Sequence, residues 1–136
     1  MKRELTRAER DFLHEQRFAV LGTTNDDGSA HLTVMWYVLE GDEIMFNTAA
    51  GRKKPDNLAR DPRASLIVPD GYRFVRVDGA VRANDDQALA QADIRTLAFR
   101  YYQSEERVQR SVNATWSKQH RITYRMPVVR VYSDGF

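Results

Sequence analysis

The chain has 136 residues, 42% apolar and 29% charged, with 21 Lys and Arg against 19 Asp and Glu for a formal net charge of +2. That length fits one domain, residues 1–136, of the usual span of about 100–200 residues, and the composition excludes disordered, collagenous and disulfide-scaffold chains. The absence of cysteine excludes disulfides, zinc–cysteine sites, iron–sulfur clusters and thiol nucleophiles. The mixed charge argues against a nucleic-acid partner. With no apolar run behind MKRELTRAER, and none near about 18 residues anywhere, neither a signal peptide nor a membrane span is expected, and the reading is cytoplasmic.

Thr6, with Glu9 three residues on, reads as a capping box ahead of Phe12 and Leu13 and predicts a helix over residues 6–16. Phe18 to Thr24 (FAVLGTT) reads as a strand, Asn25-Asp26-Asp27-Gly28 as a turn, and Ser29 to Leu39 as a longer strand pairing back. Glu40-Gly41-Asp42 turns the chain into a third strand, Glu43 to Thr48. After the loop AAGRKK, Pro55 to Arg60 reads as a short helix with Pro55 in its first turn, stopped by Asp61-Pro62. Arg63 to Pro69 and Tyr72 to Arg82 are two more strands about Asp70-Gly71, the second alternating Val75, Val77, Gly79 and Val81 with polar neighbours.

A second capping box at Asn84 to Gln87 opens a helix over residues 85–102, and the polar connector Ser104 to His120 carries no clear period. Arg121 to Tyr132 closes the series as a strand in which Pro127 marks an edge or a bulge. Six strands with antiparallel connections and helices at the joints predict a mainly β fold, a closed or partly open β-barrel with attached helices.

His14, His31 and His120 stand in no metal-binding spacing, so no metal site is expected. GxSxG, GxGxxG and GxxxxGK[ST] do not occur, so a phosphate would be held by other means. The run FNTAAGRKKPDNL offers one: Thr48 ends a strand, Ala49, Ala50 and Gly51 let backbone approach a ligand, and Arg52, Lys53 and Lys54 precede a helix N-terminus. Taken alone, the same run also fits a solvated loop. In LTVMWYVL, Thr33, Met35 and Tyr37 share one face and Val34, Trp36 and Val38 the other, so an aromatic ring borders a groove or simply packs in the core. A domain of this size leaves little room for an enclosed cavity, and a homodimer interface would supply missing walls.

In its ordered pattern (FAVLGTTNDDGSAHLTVMWYVLEGDEIMFNTAAGRKKPDNLARDPRASLIV, then YRFVRVDGAVR, then RITYRMPVVRVY) the sequence resembles the pyridoxamine 5′-phosphate oxidase-like split β-barrel flavoproteins. It is most similar to their small branch that uses the deazaflavin coenzyme F420, over residues 10–84 and 119–132. The resemblance implies a six-stranded antiparallel split β-barrel of the FMN-binding type. It also implies a homodimer that binds F420, or alternatively FMN, at the subunit interface and passes hydride from reduced deazaflavin to a conjugated small-molecule acceptor. Carried over to this chain, the cofactor phosphate falls on Thr48, Arg52, Lys53 and Lys54 with Asn57 nearby. Thr33, Val34, Met35 and Trp36 flank the ring, and Tyr72, Arg76, Trp116 and Arg121 reach it from the second subunit.

The chain departs from the family pattern at Ala30, where a proline is frequent, and at Thr33-Val34-Met35 ahead of Trp36. No catalytic residue is assigned, and His31 is read as structural. Lys2, Arg3, Arg7 and Arg10 follow the anionic tail of F420 or are simply solvated. The lack of arginine from Phe18 to Thr24 favours F420 over FMN by resemblance. A protein that sequesters a flavin, deazaflavin or haem-like ligand without turnover is the reading from another class.

Overall fold

The computed structural model describes residues 2–136. Helix α1 (Arg7–His14) starts with the expected capping box: the Glu9 amide donates to the Thr6 hydroxyl at 3.2 Å, and the Thr6 amide to the Glu9 carboxylate at 2.8 Å. Arg3 adds two parallel bonds of 2.7 Å to the same carboxylate. The bond from Arg3 outweighs burial and holds the Glu9 carboxyl down to about 2.

Strands β1 (Ala19–Thr24), β2 (Ala30–Met35), β3 (Val38–Glu40) and β4 (Glu43–Ala49) lead to helix α2 (Lys53–Arg60). Strands β5 (Arg63–Asp70), β6 (Arg73–Ala80) and β7 (Arg82–Asn84) follow. Helices α3 (Gln87–Tyr102) and α4 (Glu105–Ala114) and a 3-10 turn, Trp116–Lys118, then precede β8 (Arg121–Pro127) and β9 (Arg130–Asp134). Among the described residues the strands form two antiparallel sheets, a five-stranded one ordered β2-β1-β5-β6-β9 and a four-stranded one ordered β3-β4-β8-β7.

The sheets face each other across one core without closing into a cylinder, and helices cover the flanks, a mainly β split barrel. Leu21, Leu66, Val68, Val75, Val77 and Val131 of the first sheet are buried with Ile44, Phe46, Tyr124 and Met126 of the second. Register sets Phe46 opposite Tyr124, and their rings stack 5.2 Å apart.

The expected six strands are nine, because three of the runs cross from one sheet to the other. Ser29 to Leu39 breaks at Trp36-Tyr37 into β2 and β3, Tyr72 to Arg82 at Val81 into β6 and β7, and Arg121 to Tyr132 after Pro127 into β8 and β9. Pro127 marks neither an edge strand nor a bulge: β8 lies inside its sheet, the proline is its last residue, and the next amide, Val128, donates to the Asp42 carbonyl at 2.8 Å. The sheets approach closely at Gly79, where a Cβ would stand 2.7 Å from the Pro127 carbonyl and 2.9 Å from Met126. No other residue fits that contact.

The cap of α3 is Asp86, which accepts from the Leu89 amide at 3.1 Å. Asn84 ends β7 and accepts from the Asp86 amide, so the second capping box does not form. The connector is helical: Gln103 takes a left-handed conformation (φ 54) and Ser104 caps α4. None of the helices is long and apolar enough to cross a membrane.

Glu9 titrates near 2 in the fold against 4.5 ordinarily, so its contribution is whole above about pH 4.5 and is lost as pH falls toward 2. That shift corresponds to ~3 kcal/mol. Glu9→Gln is expected to lower Tm at neutral pH, with the gap to the unsubstituted chain narrowing as melts are taken from about pH 4.5 down to about pH 3. A gap that does not change with pH would count against the Arg3–Glu9 pair as its source.

Candidate functional site

The crossover Trp36-Tyr37 is gripped from three sides. The buried Tyr37 hydroxyl donates to the Leu13 carbonyl at 2.8 Å, and the Tyr37 amide donates to the Tyr101 hydroxyl at 3.2 Å. That hydroxyl donates in turn to the Arg17 carbonyl at 2.5 Å. Arg100 beside it donates to the carbonyls of Tyr37 (2.9 Å), His14 (2.9 Å), Leu13 (3.2 Å) and Glu15 (2.8 Å), which satisfies the open end of α1. With Tyr101 held, Trp36 stacks on its ring at 5.1 Å and 8°, and Phe18 stacks on it at 5.5 Å. Trp116 meets Trp36 edge-on at 6.2 Å and stacks with Tyr102 at 6.5 Å, while the Arg107 guanidinium lies 3.9 Å from the Tyr102 ring centre.

A cleft of about 350 Å³ opens against this aromatic wall. Phe18, Val34, Met35 and Trp36 line one side and Ile94, Leu97, Thr115, Trp116 and Gln119 another, with Asn47, Thr48, Arg52, Lys54 and Arg121 at the cationic end. Arg52 stands exposed at the N-cap of α2, which has no side-chain cap bond. Three cations and no carboxylate line the cleft.

Burial, and then the charges of Arg52 and Arg121, push the Lys54 ammonium below its ordinary pKa. Burial and Arg52 bring Arg121 down to about 10. Arg121 is 4% exposed. Its Nε donates to Asn47 Oδ1 at 2.9 Å and its Nη1 to Gln119 Oε1 at 2.6 Å. Like charges drawn partly out of water at the start of a helix make a receptor for an anion.

Of the residues expected to touch a ligand, Val34, Met35, Trp36, Thr48, Arg52, Lys54 and Arg121 meet in this one cleft with Trp116. Trp116 and Arg121 therefore line the cleft of their own chain, where a second subunit was expected to bring them. Thr33 lies next to the lining on β2, its hydroxyl buried without a partner. Lys53 is exposed and outside the lining. The Asn57 side chain is spent inside the fold: it donates to Thr23 Oγ1 at 3.1 Å and Asn25 Oδ1 at 3.0 Å and accepts from Arg60 at 2.9 Å, tying α2 to β1.

Tyr72 is 97% exposed at the β5–β6 turn, and Arg76 pairs with Asp78 at 2.9 Å, its guanidinium 4.7 Å from the Tyr132 ring centre on the outer face of the first sheet. Arg3 pairs with Glu9 and Arg10 with Asp42, so neither is free for an anionic tail. Sequence reasoning missed Phe18, Asn47, Ile94, Leu97, Thr115 and Gln119. Asn47 carried a readable signal, as an amide beside Thr48 in an expected strand, whereas Gln119 lay in the connector.

The outer face of the five-stranded sheet exposes Phe18 (58%), Leu32 (66%) and Val34 (70%). It carries an open groove of about 940 Å³ lined in part by Gly22, Ala30, Leu32, Ala80 and Val129. Val34 borders both this face and the cleft.

The family profile described as pyridoxamine 5′-phosphate oxidase matches residues 5–125. In solved structures the chain is similar to a conserved hypothetical protein from Mycobacterium tuberculosis, at 28% identity over 98% of this chain and 88% of that one, with a TM-score of 0.78. It is similar to an F420 reductase at 19% identity over 94% and 98% of the two chains, with a TM-score of 0.75. A haem storage protein from Vibrio cholerae shares the fold at 14% identity over 98% and 97%, with a TM-score of 0.72. Among curated proteins none matches.

Because Asn57 works inside the fold, Asn57→Ala is expected to lose about 1–3 kcal/mol of stability in urea unfolding. Its affinity for inorganic phosphate should stay within about threefold of the unsubstituted chain. Full stability with weakened phosphate binding would return Asn57 to the anion site.

Proposed function

The chain belongs to the pyridoxamine 5′-phosphate oxidase family, and from that premise we propose that the cleft binds the deazaflavin F420 and that the protein is a reductase acting on a conjugated small molecule. The observation that carries this reading is the pairing of three cations without a carboxylate and a wall of stacked aromatic rings in one cleft. A ligand with a phosphate at one end and a flat ring system at the other fits both halves. When bound, reduced deazaflavin supplies the hydride.

The chain's own part is binding, orientation and exclusion of water. Arg52, Lys54 and Thr48 hold the phosphate, while Met35 and Trp36 border the ring, oriented through Tyr101. Neither histidine nor carboxylate lines the cleft, so a proton reaches the acceptor from solvent at the open mouth. FMN is the second reading, because the same cationic end accepts its phosphate. A haem-like ligand finds no histidine in the lining.

The cleft is open at its mouth, and the exposed Leu32 and Val34 run from it onto the outer face of the first sheet. A second copy seated there would cover them and complete the site, bringing Tyr72 and Arg76 of the opposite copy into play.

Titration with F420 and FMN in parallel, followed by the fluorescence of Trp36 and Trp116, tests the cofactor. Binding of F420 at about micromolar Kd is expected, and Lys54→Ala should weaken it by about 10- to 100-fold, equal to ~1.5–3 kcal/mol. FMN preference would move the protein to the second reading, and binding of neither would remove it from both. Light scattering at about 10 μM should give a dimer, converted to monomer by the pair Leu32→Arg and Val34→Asp. An unsubstituted monomer would leave the cleft to a single chain and overturn the shared site.

A further inference from the structure

Arg121 is the most deeply buried cation of the cleft, and amides surround it where acids would be ordinary. Asn47 and Gln119 fix its Nε and Nη1 at 2.9 and 2.6 Å. Gln87 clamps its backbone from both sides, accepting from its N–H at 2.9 Å and donating to its carbonyl at 2.8 Å. Arg125, on the same face of β8, shows the other solution: its guanidinium meets Glu40 at 3.0 Å and Asp93 at 3.3 and 3.4 Å. The chain supplies carboxylates to one arginine of this strand and withholds them from the more buried one.

A guanidinium has five N–H donors. Among the described residues protein acceptors engage two of Arg121's, and the end of the fork, one Nη1 hydrogen and both on Nη2, stays open in a residue that lines the cleft. A buried cation without a counter-charge is costly and is relieved when a ligand brings one. Arg52, Lys54 and Arg121 place three positive charges in the lining, and a phosphate carries at most about two negative ones. At least one charge is left over.

We propose that Arg121 receives a carboxylate of the acceptor, so that the substrate is a conjugated molecule bearing an anionic carboxylate. This rests on the reading above, in which Arg52 and Lys54 take the cofactor phosphate. The planar fork meets two carboxylate oxygens in parallel. Because Asn47 and Gln119 lock the plane of the guanidinium, the carboxylate sets the direction in which the conjugated body lies against Trp36 and Trp116.

A carboxylate in the tail of F420 is the same chemistry from another source, and calorimetry separates the two. The chain saturated with F420 is titrated with trans-cinnamate and with its neutral amide, trans-cinnamamide. Cinnamate is expected to bind at least about tenfold tighter. Arg121→Gln should erase that preference and Arg121→Lys should keep part of it, both variants losing less than about threefold in F420 affinity and melting cooperatively. Equal affinity for the two probes in the unsubstituted chain overturns the proposal. So does a loss of F420 binding in Arg121→Gln as large as that of Lys54→Ala, which would give the residue to the cofactor. If F420 does not bind the unsubstituted chain, the functional reading falls by itself. The site is then decided by cinnamate preference in the free protein, upheld if Arg121→Gln removes it and overturned if no preference exists.

Discussion

Arg100 gathers the carbonyls of Tyr37, Leu13, His14 and Glu15 on a single guanidinium, and its neighbour Tyr101 holds Arg17 and the Tyr37 amide. Carbonyls at a helix end carry partial negative charge and have no partner within the helix, so a cation placed over them satisfies hydrogen bonding and dipole together. The same two residues thereby tie α3 to the end of α1, to the entry of β1 and to the first crossing between sheets. Trp36 has its orientation because Tyr101 has no freedom, and the aromatic side of the cleft follows from there.

Elsewhere the chain neutralises its arginines locally. Arg3 pairs with Glu9, Arg63 with Asp61, Arg73 with Asp70, Arg76 with Asp78 and Arg82 with Glu43. Apart from Arg3–Glu9, whose carboxylate is buried, these pairs are exposed and add little stability, but together they flatten the field around the molecule. Against that background the cations of the cleft, which face no acid in its lining, stand out as a local positive site in a protein of net charge +2.

Features controlled by one or two residues were legible in the sequence. Thr6 and Glu9 announce α1, and Gly28, Gly41 and Gly71 mark turns that they enter with positive φ. The first two crossings were not legible, because both sheets bury the side facing the other and alternation runs through Met35, Tyr37 and Leu39, and through Val77, Gly79 and Val81, without a break; at the third the inward side shifts from Met126 to Val131, a change of phase after Pro127. Nor was the inward choice between Lys53 and Lys54, identical side chains separated only by helix phase, which burial of Pro55, Asn57 and Leu58 sets. Asn57 looked like a ligand contact because its true partners, Thr23 and Asn25, are more than thirty residues away. Helix α4 buries only Val108 and so shows no apolar stripe, although Ser104 ahead of Glu105 and Glu106 was a readable start. The family resemblance located the cationic end of the cleft, while its helical wall fell in the stretch that matched poorly.

The three crossings, at Trp36-Tyr37, at Val81 and after Pro127, act as stitches between the sheets. Each is a short continuation of a strand with no long loop to absorb movement, and at Gly79 the two layers touch backbone against backbone. Neither sheet can part from its partner without breaking strands that belong to both, so the molecule has no natural seam along which half of it opens first. The barrel is split in outline and undivided in cooperativity.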